Sequence, residues 1–157
     1  MTRASGVIVV IGIGNTYRRD DGVGIAVATA LDARAMPNVV VKTGITDPMS
    51  LIEAWTGAKR VVIIDAAIAN PCTPGRIRRR ELTDVAIQSD GLHSHSVDVG
   101  RAHALGKALG RVPGEVKIFT IEVLDTDHGI GLSPQVAGAV PKVVDMVVAE
   151  IDRALPV

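Results

Sequence analysis

Residues 6–24 read GVIVVIGIGNTYRRDDGVG, and this stretch decides the fold. Its first seven residues, GVIVVIG, form a continuous β-branched run, short enough for a strand and apolar on both faces. Such strands belong to parallel sheets covered by helices on either side. A glycine-bearing loop follows, and from residue 22 to residue 35 the sequence GVGIAVATALDARA has the spacing of an Ala-rich helix. Strand, loop and helix in this order open a βαβ unit.

The remainder repeats the alternation. Residues 38–43 (NVVVKT) read as a second strand, and Asp47-Pro48 as a helix start, with a side-chain acceptor followed by a ring suited to the first helical position. Residues 60–66 (RVVIIDA) are another buried strand, ending in an aspartate. A turn at 70–75 leads to an outer strand at 76–82, and residues 83–94 read as irregular. A helix over 97–109 is stopped by Gly110 and Pro113. Residues 116–123 are a strand and 124–132 a loop. Ser133 is expected to cap a last helix, which Pro141 is expected to kink or split. The expected fold is α/β: three layers, a mainly parallel twisted sheet of about five strands, and helices on both faces, all in one domain over residues 1–157.

Composition narrows the function classes. Seventeen Lys plus Arg balance seventeen Asp plus Glu among 157 residues, and hydrophobic residues reach 47% while aromatics reach only 2%. Tyr17, Trp55 and Phe119 are the whole aromatic set. A nucleic-acid binder would need a basic field and rings for base stacking, and this chain has neither. The hydrophobicity excludes disorder. Cys72 is the single cysteine, so an intramolecular disulfide and a thiolate-rich zinc site are both excluded. The N-terminal apolar run lacks a basic flank and cleavage site, and no run is long enough to span a bilayer. The expectation is a cytoplasmic monomer that binds neither membrane nor nucleic acid.

In sheets of this kind the site lies at the carboxyl ends of the strands. The loop after the first strand is not a dinucleotide fingerprint, because Tyr17 stands where the third glycine should be and the loop is too long. Asp20 and Asp21 precede the helix. One of them is expected to cap it, which leaves the other free to face the crevice. Asp65 ends a buried strand, where a carboxylate needs hydrogen bonds, a counter-charge or a cation. His93 and His95 flank Ser94 before the next helix; His103 reads as surface or core filler and His128 as loop polarity. One imidazole with two carboxylates suits a divalent first-row ion and holds it weakly. No G-x-S-x-G elbow is present, and Cys72 has no basic neighbour to activate it. Arg76, Arg78, Arg79 and Arg80 read as a solvated strand edge, with a docking surface for an acidic partner as the alternative.

The motif GIGNTYRRDDGVG at 12–24 resembles the hydrogenase maturation proteases, endopeptidases that trim the C-terminal extension of nickel–iron hydrogenase large subunits. VVIIDA at 61–66 followed by PGRIRR at 74–79 resembles that family's second block. His95 before a helix ending in LGRVPGEV at 109–116 resembles the third, and IGLSPQV at 130–136 the fourth. The resemblance covers nearly the whole chain in order. It implies that Asp21, Asp65 and His95 are the metal-contacting and catalytic residues, the two carboxylates acting either as an aspartic-type acid–base pair or as ligands that leave water activation to the metal. It also implies nickel that is supplied by the substrate and not kept by the protease, with a hydrogenase large-subunit precursor as partner. Two other readings compete: a small-molecule hydrolase or transferase on a nucleoside-phosphorylase-like scaffold, and a non-catalytic protein that docks the precursor. Tyr17 is the single ring near the first loop, which counts against the former. Retention of both acids and the histidine counts against the latter.

Overall fold

A computed structural model describes residues 6–82, 92–93 and 98–154. The strands are β1 (Ile8–Gly12), β2 (Val39–Lys42), β3 (Arg60–Ala69), β4 (Ile77–Glu81), β5 (Leu92–His93) and β6 (Glu115–Glu122). The helices are α1 (Val23–Asp32), α2 (Pro48–Trp55), α3 (Val99–Ala108) and α4 (Pro134–Ala154). The sheet order is β2-β1-β3-β6-β4, with β5 pairing the far end of β3. β1 pairs in parallel with β2 and β3, and β3 in parallel with β6, while β4 and β5 run antiparallel. The fold is therefore the α/β sheet expected from the alternation.

Period-two alternation divides the core between the two faces. Ile8, Val10, Val62, Ile64, Phe119 and Ile121 pack under α1 and α4. Val9, Ile11, Val61, Ile63, Val116 and Ile118 pack under α2 and α3. With so few rings available, aliphatic side chains fill both layers. Trp55 is the exception: fully buried on α2, it donates its indole N–H to the Arg111 carbonyl at 2.9 Å. His103 meets it edge-on, 6.1 Å between ring centres, and burial, then Lys107, holds its imidazole below the ordinary value.

Helix starts follow local chemistry at α2 and at α3, where Asp98 accepts from the Arg101 N–H at 3.0 Å, and depart from it at α1 and α4. Asp47 caps α2 by accepting from the Ser50 N–H at 2.7 Å, and Ser50 returns a bond to the Asp47 N–H. At α1 the expected carboxylate cap is absent: Gly22 is the N-cap, with no side-chain bond, because both aspartates turn elsewhere. Ser133 precedes α4, but its hydroxyl donates to Asp20 at 2.8 Å. Pro141 does not split α4, which runs unbroken from Pro134 to Ala154. The carbonyl it would have paired belongs to Ala137, and both residues are exposed, so water can take the freed acceptor.

Two further expectations change. Residues 83–94 were expected to be irregular, yet Leu92–His93 is a short strand whose backbone pairs with Ile68 and Ala69; residues 83–91 and 94 lie outside the described residues. The arginine edge is not simply solvated. Arg79 reaches Glu150 of α4 at 2.7 Å, and Arg60 and Arg153 join the same carboxylate. Burial works to raise the Glu150 carboxyl, but Arg79 and then Arg153 outweigh it and hold it low. Arg78 and Arg76 turn toward buried Glu122 on β6, at 3.3 and 4.0 Å. The ions join β4 and β3 to their neighbours because strand alternation gives the arginines two different faces. Among the described residues no helix is long and apolar enough to cross a membrane.

Candidate active site at the carboxyl ends of β1 and β3

The order of strands reverses direction between β1 and β3, since the chain passes from β1 outward to β2 and then back to β3. That crevice is where the loop GIGNTYRRDDGVG lands. Two glycines allow it. A β-carbon on Gly24 would come 2.5 Å from the carbonyl oxygens of both Ile13 and Ile64. Gly14 holds φ near +148° with the Asp21 carbonyl against it, a place no side chain could occupy. The start of α1 is thereby pressed onto the exit of β1 and the middle of β3.

This approach brings the turn Arg19–Gly22 against β3 and sets its two aspartates in different environments. Asp20 is fully buried and accepts four hydrogen bonds. They come from Leu124 N–H and Asp125 N–H at 3.0 Å each, Ser133 N–H at 2.6 Å and the Ser133 hydroxyl at 2.8 Å. Burial pushes this carboxyl up, but the bonds from Ser133, Asp125 and Leu124 prevail and hold it below the ordinary value. Asp20 is therefore the clasp of the 124–133 loop. The flanking arginines serve the same loop: Arg18 Nε donates to the Thr126 carbonyl at 3.0 Å and Arg19 Nε to that of His128 at 3.3 Å. Arg19 also pairs with Asp125 at 3.5 Å.

Asp21, the neighbour of Asp20, is bonded far less completely. It is 4% exposed; its Oδ2 accepts from the Asn15 N–H at 2.9 Å, while Oδ1 has no partner among the described residues. A buried carboxylate oxygen left open is costly unless a cation, a proton or a donor completes it. Asp65, 2% exposed, occupies β3 one residue beyond Ile64, whose carbonyl Gly24 abuts. The strand expected to end at its aspartate runs on to Ala69, because residues 65–67 stay paired with β6, so Asp65 stands mid-strand, on the same strand that the turn carrying Asp21 packs against. His95, the third expected residue, lies outside the described residues, as do the side chains of its neighbours. Among the described residues no three His, Cys, Asp or Glu side chains gather as a metal site, so these supply two carboxylates and not a cage.

The other candidates take supporting places. Cys72 donates its thiol to the Val123 carbonyl at 3.2 Å, and burial, Glu122 and Asp20 push its pKa up, the wrong direction for a nucleophile. The exposed His128 contributes its carbonyl to the Arg19 clamp. Sequence reasoning missed Glu122, 1% exposed, which accepts from the Thr73 N–H at 2.8 Å and faces Arg78. A charged residue closing the apolar strand VKIFTIE was the available signal.

Comparison with known proteins places this architecture. The family model described as HycI, hydrogenase maturation protease, matches residues 25–150. Hydrogenase 2 maturation protease of Escherichia coli is 22% identical over 147 residues, spanning 92% of this chain and 90% of that protein. Coenzyme F420 hydrogenase subunit delta of Methanothermobacter thermautotrophicus is 28% identical over 160 residues, spanning 92% and 94%. The structure of the maturating endopeptidase HybD from E. coli superposes with a TM-score of 0.81 at 19% identity, covering 94% of this chain and 93% of that one. HybD from Thermococcus kodakarensis gives 0.74 at 23% identity, covering 92% and 99%. The structural matches speak for the fold.

Proposed function

This chain belongs to the hydrogenase maturation protease family, a family of peptidases, and on that premise we propose that it removes the C-terminal extension of a nickel–iron hydrogenase large-subunit precursor once nickel is in place. The observation that carries this reading is the open, buried Oδ1 of Asp21, on a turn packed against the strand that bears the buried Asp65. Two carboxylates form an incomplete site for a divalent ion, and nickel arriving in the substrate completes it. Asp21, Asp65 and His95 contact that ion and so set the scissile bond in register with the acids. In the aspartic-type step, a carboxylate takes a proton from water as the water oxygen attacks the scissile carbonyl. The proton then passes to the amide nitrogen as the C–N bond breaks.

The checkpoint follows from desolvation. An empty precursor brings no cation to offset the removal of water from clustered polar groups, so it docks unproductively. The test is a processing assay with a nickel-loaded precursor, read by mass spectrometry of the large subunit. One cut that releases the C-terminal extension is the expected outcome, and a precursor bound but never shortened would leave a docking protein. His95→Ala is expected to lower the cutting rate about a hundredfold. Full activity in that variant would move the histidine's role to His93.

A further inference from the structure

Strand register places three side chains of different chemistry in one row. Asp65 of β3 stands beside Thr120 of β6, and Thr120 beside Arg78 of β4. All three face the α2–α3 side of the sheet, since Ile63 and Ile118, two residues earlier on β3 and β6, belong to that core. Neighbouring strands are spaced about 4.8 Å, so the row runs about 10 Å from the acid to the guanidinium.

Two members of the row carry unused hydrogen-bonding capacity. Thr120 is 8% exposed, and its hydroxyl has no partner among the described residues. Valine has the same shape and would spare the chain a buried, unsatisfied hydroxyl. Arg78 donates through Nε to Glu122 at 3.3 Å, and its two terminal nitrogens have no partner among the described residues. Glu122 is itself buried and anchored by the Thr73 N–H, so it aims the guanidinium and leaves the outer fork open.

We propose that Thr120 and Arg78 form a subsite for the polypeptide substrate, Arg78 gripping a carboxylate of the bound segment and Thr120 donating to a main-chain carbonyl between that carboxylate and the acids. This rests on the endopeptidase reading above. An extended chain advances about 3.3 Å per residue, which puts the recognised carboxylate about three residues from the bond held at Asp21 and Asp65. Arg78 is the exposed member of the row, its side chain 36% accessible, while Thr120, Asp65 and Asp21 lie buried behind it.

The test measures kcat, KM, precursor Kd and melting temperature for Thr120→Val and Arg78→Lys, against precursors whose acids within four residues of the cut are changed singly to amides. Thr120→Val is expected to raise KM and Kd about fivefold, to keep kcat within about twofold, and to melt no lower than wild type. Arg78→Lys keeps a charge beside Glu122 but loses the planar fork, and is expected to raise KM about tenfold. It should lose distinctly less than wild type when the matching substrate acid becomes an amide. A Thr120→Val protein that melts lower with KM unchanged, or Arg78→Lys losses that simply add to every substrate change, would overturn the subsite. Wild-type protein that binds the precursor without cutting it would defeat the endopeptidase reading alone, and the subsite is then judged on Kd.

Discussion

Asp21→Asn is expected to reduce precursor processing at least about a hundredfold while the protein melts at or above the wild-type temperature. The two halves of this result have one cause. The Asn side chain keeps an oxygen for the Asn15 N–H, which Asp21 Oδ2 accepts at 2.9 Å. It removes a buried negative charge whose other oxygen has no partner among the described residues. Folding therefore loses nothing and is relieved of a desolvation cost. Catalysis loses both a ligand for the incoming cation and a base. Asp65→Asn is expected to show the same loss of processing. The check pairs a processing time course with thermal melting of the same preparations. An active Asp21→Asn protein would remove Asp21 from the chemistry. An inactive one that also melts well below wild type would make it structural.

The second large effect sits one residue away and has the opposite character. Asp20→Asn is expected to lower stability by about 3 kcal/mol, or roughly 10 °C in melting temperature for a domain of this size. Both Asp20 oxygens are in use, three donors on Oδ2 and one on Oδ1, all from the 124–133 loop. An amide keeps one acceptor and turns N–H groups toward buried N–H groups. The pH dependence separates this role from a generic loss of packing. Asp20 is more acidic folded than unfolded, so its stabilisation is complete above an unfolded pKa of about 4 and is lost as pH falls through the lower folded value. Glu150, also held low, contributes in the same direction. Urea titrations at pH 7 and pH 3 should show wild type losing stability with acid and Asp20→Asn losing distinctly less. An equal acid loss in both would mean that Asp20 carries no linked proton.

The two neighbouring aspartates mark where sequence reading reached its limit. The sheet, its apolar strands and the two-sided core follow from local patterns, because short continuous β-branched runs such as VVII suit strands covered on both faces. Asp47 was legible for the same reason, since a capping box is closed within four residues. The division of labour between Asp20 and Asp21 was not, because it depends on donors from residues 124–133, more than a hundred positions away. The same distance hid Arg18 and Arg19, which serve the 124–133 loop, and the row Asp65–Thr120–Arg78, which exists only through strand register. The arginine run looked like a solvated edge because its partners, Glu122 and Glu150, lie on other elements. Asp65 was visible as a charge directly after the apolar run VVII, although the strand continues past it to Ala69. The placement of His95 rests on resemblance alone.

The most direct test of the central claim compares one hydrogenase large-subunit precursor in two forms, nickel-loaded and nickel-free, incubated with this protein under identical conditions. The account predicts that the loaded form is shortened at its C-terminus and that the nickel-free form stays at full length, at least about a hundredfold slower. Cutting of both forms at the same rate would contradict it.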